Sequence, residues 1–535
     1  MRKNIFIYIS AVLMLCCSCS DFLDTYPYDA LSPATTWKTE DDAEKFLIGC
    51  YDGWIWGEGF LYWDCASDIG FSYHTHEGWR VIGDGTLTAA NPGSSSYSYT
   101  RIRRCLTLLE NIELIPFTDE KRKKDIIAQA RVILAYDYFK MNFWYGGVPV
   151  ISLFKDAEEA KAPRNTEAEV KDYIYKEIDA AVADINDRPA ARGRIAKGAA
   201  LALKMRSALY WGDNQRALDA AKAIKALGIY KLDPNYANMF TLAGVDSEEI
   251  ILSVQHLKNL KDEWMVTLPN NADGGWSSMT PSQNLVDMYE MNDGLTKEES
   301  SAYDPAHPYK NRDPRMAMTV LYPGQDWQSS ILNTLDEVLP NGSKNPNFPT
   351  AADNASKTGL TWSKYVAPLE QYENDFYSTS LCQVVFRYAE ALLTIAETSN
   401  ELSGPSDEVY EALDEVRQRV GMPAVDRAKY NSKETLRELI RRERSVEFAG
   451  EGHRRADIVR WKDASGKMIA ETVMNGPLNR VVGTINYAEP DPYSRATITG
   501  VEKIEDRKFA SHNRYLPIPQ TTIDKNPQLK QNDGY

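Results

Sequence analysis

Helical periodicity constrains this chain more than any other feature. From Glu120 to Phe143, the residues Ile126, Ala130, Leu134, Tyr138 and Met141 recur every three or four positions, so they share one helix face. Gly146-Gly147-Val148-Pro149 stops that helix. Thr166 with Glu169 forms a capping box, in which hydroxyl and carboxylate satisfy otherwise unpaired amides, and the helix it opens runs to about Ile185. Ala196 to Trp211 and Asn214 to Leu227 read as a helix–turn–helix around Gly212, with Ala217, Ala221 and Ala223 permitting close approach. The Gly212-x4-Ala217 spacing resembles a tetratricopeptide unit. Helices at about 382–401, 406–420 and 432–449 repeat the pairing; Gly421 and Pro423 end the second, and Asn431 with Glu434 caps the third.

Between these helices the pattern breaks. A scaffold of about 41–51, 101–230 and 380–461 alternates with Gly-, Pro-, Asn- and Asp-rich parts of about 52–100, 232–378 and 462–514. The middle part carries short β-like runs, such as Ile250 to Val254. Loops this long inside a compact body are usually functional. The expected fold class is therefore mainly α: a tetratricopeptide-like helical-hairpin scaffold with large irregular, loop-rich insertions. A length of 535 residues exceeds one small core, and 43% hydrophobic residues exclude a mainly disordered chain. The net charge of −15 argues against nucleic acid as a partner, since phosphate binding needs surplus Lys and Arg.

A basic start, Met1-Arg2-Lys3-Asn4, precedes an apolar run from Ile5 to Leu15, too short to span a bilayer as a mature helix. It ends in Cys16-Cys17-Ser18-Cys19 rather than in an A-x-A site, and so resembles a bacterial lipobox. Residues 1–18 are read as the signal peptide, Cys19 as the acylated N-terminus, residues 19–40 as the tether and 41–535 as the body. Cys17 is the second candidate, and an ordinary signal peptide with incidental cysteines is the competing reading. Losing Arg2 and Lys3 takes the charge from −15 to −17, so attachment rests on acyl chains rather than on attraction to anionic lipid. No later apolar run is long enough to span a membrane; the body is expected to be soluble and tethered. Cys50, Cys65, Cys105 and Cys382 are read as buried free thiols, with a Cys50–Cys65 bridge as the alternative.

Several segments jointly match a known family. They are Cys19-Ser20-Asp21-Phe22-Leu23-Asp24, Asn311-Arg312-Asp313-Pro314-Arg315, Arg387-Tyr388-Ala389-Glu390-Ala391-Leu392-Leu393, and Glu443-Arg444 with Glu447 ahead of Glu451-Gly452-His453-Arg454, Asp457, Arg460 and Trp461. The end, Tyr515-Leu516-Pro517-Ile518-Pro519 with Asn526-Pro527 and Gln531-Asn532, completes the set. Over essentially the whole mature chain, the pattern resembles the SusD/RagB family of outer-membrane lipoproteins. Two positions depart from it: Arg455, where a large aromatic is usual, and Asn532-Asp533-Gly534 in place of Asn-Pro-Gly. The resemblance implies a cell-surface, lipid-anchored outer-membrane protein. Such a protein binds oligosaccharide, forms a lid on a SusC-like TonB-dependent barrel transporter, and has no enzyme activity or cofactor.

For binding, the aromatic cluster leads. Trp54, Trp56, Trp63 and Trp79 are four of twelve Trp within 26 residues, joined by Tyr62 and Tyr73. A flat ring stacks on the C–H face of a pyranose while polar groups receive its hydroxyl rim. Asp64, Asp68, His74, Glu77 and Arg80 are the rim candidates here; Asn271, Asp273, Trp276 and Trp327 extend the set into the middle region. About half of these are expected to be core or unrelated surface, since Trp is mostly buried. Trp144, Trp211 and Trp461 are assigned to the core. Arg387, Arg444, Arg454 and Asp457, beside Glu447 and Glu451, are expected to form buried ion pairs that fix helix packing rather than an active site. His74-x-His76 with Glu77 has metal-ligand character but no evident third partner, and no metal site is assigned. Two readings compete with glycan capture: a helical glycoside hydrolase with paired carboxylates, and a protein-interaction scaffold without sugar binding.

Overall fold

The computed structural model describes residues 37–94, 96–154, 156 and 158–535. The signal segment, Cys17, Cys19 and nearly all of the tether lie outside them. Among the described residues no helix is long and apolar enough to cross a membrane.

The periodic segments fold as helices close to their expected bounds: α1 Glu40–Tyr51, α2 Thr100–Asn111, α3 Glu120–Tyr145, α4 Glu167–Asp184, α5 Lys197–Tyr210 and α6 Asn214–Ala226. They continue as α7 Tyr388–Ser403, α8 Asp407–Arg419 and α9 Lys433–Glu447, with the short α10 at Arg454–Arg460. Helices α3 and α4, α5 and α6, and α7 and α8 pack as hairpins, and α6 lies on α7. This is the expected tetratricopeptide-like scaffold. Gly146, at φ 71°, closes α3 in a conformation that L side chains rarely adopt, and the Thr166 capping box is present.

Three local readings are corrected. Residues 383–387 are not the start of a helix; they form a strand with all five residues buried. Of the strands, β1 is Gly70–Ser72, β2 Ile250–Val254, β3 Met279–Pro281 and β4 Gln383–Arg387. β4 pairs antiparallel with β2, Ile250 facing Arg387. A short apolar run fits a buried strand as well as a helix, and here the Val384-Val385 pair favours the strand. The cap of α9 is Ser432 with Thr435, while Asn431 donates instead to the Ala428 carbonyl. Residues 462–514 contain a long hairpin, β5 Gly476–Ile485 against β6 Ala496–Arg507. Two register shifts and a largely exposed outer strand erase the alternation that would have announced it.

Cys50, Cys65, Cys105 and Cys382 are buried free thiols, which removes the Cys50–Cys65 alternative. The family motifs assemble into a buried charge network. Arg315 reaches Asp313, Glu443 and Glu447 at 2.6, 2.6 and 2.9 Å. Arg387 reaches Glu249, Glu447 and Glu451 at 2.8, 2.6 and 2.7 Å, and Lys364 adds Glu451 at 2.8 Å. Arg419 binds Glu249 and Glu447, Arg417 binds Glu290 and Glu443, and Arg442 also binds Glu290. Six cations thus meet six carboxylates, so the cluster carries no net charge and needs no catalytic explanation. Arg444, Asp457 and Arg460 form a neighbouring group with Glu397.

Candidate functional site

β1 and β3 pair antiparallel, Phe71 facing Thr280, and the chain leaves β1 through Tyr73, whose N–H donates to the Ser278 carbonyl at 3.2 Å. The turn that follows needs Gly78: its φ is 80°, and a Cβ there would meet the Ser94 backbone nitrogen at 2.5 Å. That turn places Arg80 beside Tyr73, with the guanidinium donating to the Tyr73 carbonyl at 3.3 Å and lying 5.6 Å from its ring centroid.

These residues wall one side of a cleft of about 520 Å³, within the range of small-molecule sites. The other walls are the 349–353 turn, Lys357, and Arg480 with residues 502–504 of the β5–β6 hairpin. The Lys357 ammonium sits 4.4 Å from the Tyr73 ring centroid, and burial pulls its pKa below the ordinary lysine value. Arg480 pairs with Glu502 at 2.6 Å.

A row of aromatic rings precedes and flanks β3. Trp276, half-buried, stands two residues before Ser278, the partner of Tyr73. Its ring lies 5.9 Å from Tyr377, which lies 5.7 Å from Trp264. Trp264 and Tyr377 are 55% and 46% exposed, so these rings have faces to offer. Trp56, 61% exposed, projects from an adjoining loop that is tied to the same region by the Lys261–Asp52 ion pair at 2.9 Å.

The structure thus brings Tyr73 and Arg80 together at the cleft, while Trp276 stands with Tyr377. Asn271, Asp273 and Trp327 make intramolecular hydrogen bonds: Asn271 donates to the Pro346 carbonyl at 2.8 Å, and the Trp327 indole donates to Asp273 at 2.7 Å. Burial pushes the Asp273 carboxyl up despite that bond. Trp327 is itself buried.

Trp54 and Trp79 belong to the core and present no face to solvent: Trp54 packs edge-on against Tyr136, and Trp79 stacks on Tyr62 at 5.8 Å. Trp63 is half-buried against Phe143 and Trp144. Asp64 and Asp68 are not rim groups. Asp64 accepts from the backbone N–H groups of Gly450, Glu451, Gly452 and Arg454, and Asp68 pairs with Arg454 at 2.8 Å. Of the assigned core rings, Trp144 and Trp461 are buried and Trp211 packs partly buried against the core. His74 is the N-cap residue of a short 3₁₀ turn, Thr75–Glu77, that contains His76, and Glu77 accepts from the Ser72 hydroxyl at 3.2 Å. Among the described residues no group of three or more His, Cys, Asp or Glu is placed to hold a metal.

Sequence reasoning missed Lys357, Arg480, Trp264 and Tyr377. Lys357 and Arg480 stand hundreds of residues from Tyr73 and line its cleft only through tertiary folding. Trp264 and Tyr377 do fall in the loop-rich middle part, where an aromatic in polar surroundings was the one available signal.

The profile of the SusD family matches residues 238–535, and a second profile, described as starch-binding associating with outer membrane, matches residues 21–209. A SusD-like protein of Formosa agariphila is 24% identical over 99% of this chain and 98% of its own length. A crystal structure of a SusD-like carbohydrate binding protein from Bacteroides fragilis superposes with a TM-score of 0.80 at 27% identity, covering 93% of this chain and all of that one. Another SusD-like protein from the same species gives 0.77 at 26% identity, covering 96% of this chain and all of its own. With the profile spanning more than half of its length, the chain belongs to the SusD family.

Proposed function

We infer that this protein is a surface glycan-binding lipoprotein. It captures oligosaccharide without cleaving it and passes it to a SusC-like TonB-dependent transporter in the outer membrane. Cys19 carries the lipid anchor, and the body faces the exterior. The observations behind this reading are the polar cleft at Tyr73 and the aromatic row of Trp276, Tyr377 and Trp264, of which the last two are exposed, both on loops carried by the helical scaffold. Rings together with a polar cleft suit a sugar, which has an apolar C–H face and a hydroxyl rim. The carbohydrate-binding relative from Bacteroides fragilis and the outer-membrane wording of the N-terminal profile support the same reading. Glu502, one of two carboxylates on the cleft, is engaged by Arg480 at 2.6 Å, unlike an acid poised over a leaving oxygen.

Affinity electrophoresis of residues 20–535 through polysaccharide gels tests the reading. The protein is expected to be retarded by at least one glycan. A Trp264→Ala, Tyr377→Ala double variant is expected to lose about tenfold in affinity, the scale of a binding hot spot. Retardation unchanged in the double variant would move the site away from this row.

A further inference from the structure

The cleft at Tyr73 is positively charged in an acidic protein. The chain carries −15, yet Arg80, Lys357, Arg480 and Lys503 line the cleft against only Asp353 and Glu502. The four cations are unevenly matched. Arg480 has Glu502 at 2.6 Å and Lys503 has Asp506 at 2.8 Å. Arg80 meets Glu505 only at 3.4 Å, and Glu505 is shared with Arg507 at 3.0 Å. Lys357 forms no salt bridge among the described residues. Its ammonium donates instead to the carbonyl oxygens of Pro349 and Ala352 at 2.9 and 2.7 Å. Two carbonyls aim the ammonium without neutralising it, and one of its three N–H donors is left over.

Tyr73 accounts for the arrangement. Its ring holds Lys357 at 4.4 Å and Arg80 at 5.6 Å, so its π cloud serves two cations rather than a sugar face. A neutral saccharide entering here would strip water from both cations and return no opposite charge. A carboxylate or sulfate ester would return it through charge-assisted hydrogen bonds.

Resting on the glycan-binding reading above, we propose that the cleft selects an anionic sugar unit, whose carboxylate or sulfate group is received by Lys357 and Arg80. The rings of the aromatic row stack on the rest of the chain.

The test is calorimetric titration of the folded body with matched pairs: oligogalacturonides against their methyl esters, and carrageenan oligosaccharides against their desulfated forms. The charged member of one pair is expected to bind about tenfold tighter, an advantage that shrinks as NaCl is raised. The pair that shows it distinguishes carboxylate from sulfate. Lys357→Gln and Arg80→Gln, checked for folding by thermal melting, should each collapse the charged-to-neutral ratio, and Lys357→Arg should keep it. A neutral member binding as tightly as its charged partner, or a preference that survives both Gln variants, overturns the charge assignment and leaves glycan capture standing. If neither member of any pair binds while polysaccharide gels still retard the protein, the charge assignment falls and glycan capture stands; if the gels show no retardation either, both readings fall.

Discussion

Glu447→Ala is expected to destabilise the fold by about 3–5 kcal/mol, the cost of breaking a buried ion pair from one side. Glu447 is fully buried and accepts from Arg315 at 2.9 Å, from Arg387 at 2.6 Å and from Arg419 at 2.6 and 2.7 Å. Those arginines reach α9 from the first turn of a short helix at Arg315–Thr319, from the end of β4 and from the end of α8, so this carboxylate joins three separate stretches of chain. Its loss leaves the six cations of the network with five carboxylates, one negative charge short. The urea midpoint reads the effect; an unmoved midpoint would mean that the network is ornamental.

The same network sets the acid limit of the protein. Burial pushes the Glu447 carboxyl up, but Arg419, Arg387 and Arg315 overcome it and hold its pKa well below the usual range; Glu443 and Glu451 are also lowered, and Arg460 and Arg444 hold Glu397 at about 2. Since these folded values lie below the unfolded ones, the stabilisation is full above about pH 4.5 and is lost as pH falls through the folded values. Near-ultraviolet circular dichroism should therefore collapse between about pH 4.5 and 2. A fold unaffected at the bottom of that window would contradict the assignment.

Asp64→Ala is expected to act on the site as well as on stability. Its two oxygens accept four backbone N–H groups from residues 450–454, at 2.9 to 3.2 Å, in a buried setting. Each orphaned buried donor costs about 1–3 kcal/mol before relaxation, so a loss of about 3–5 kcal/mol is expected. The segment released is the one that leads through β1 to Tyr73 and Arg80. Hydrogen exchange in residues 62–84 should rise, and glycan affinity should fall, in a protein whose helices keep their far-ultraviolet signal. Unchanged exchange in that segment would show that Asp64 does not tie the cleft to the scaffold.

The helical half was legible because helices carry their own signals. Ile126 to Met141 keep one face, Thr166 and Glu169 close a capping box, and Gly146 supplies the stop. The β5–β6 hairpin was not legible, because its bulges shift the register that alternation depends on. The site was legible only in part. Tyr73, Arg80 and Trp276 stand out as polar-tipped or charged groups in loops. Nothing local separates them from Trp54 and Trp79, which the fold turns inward against Tyr136 and Tyr62. Lys357 gains its meaning only where the 349–357 segment folds over Tyr73.

On the proposed function, this surface grips carbohydrate and leaves it whole. Titrating the soluble body with an oligosaccharide that its gels retain, then chromatographing the same mixture after prolonged incubation, tests both halves at once. Saturable binding with the sugar recovered at full length is the predicted result. Shortened products, or binding that persists when Trp276 and Tyr377 are both replaced by Ala, would contradict it.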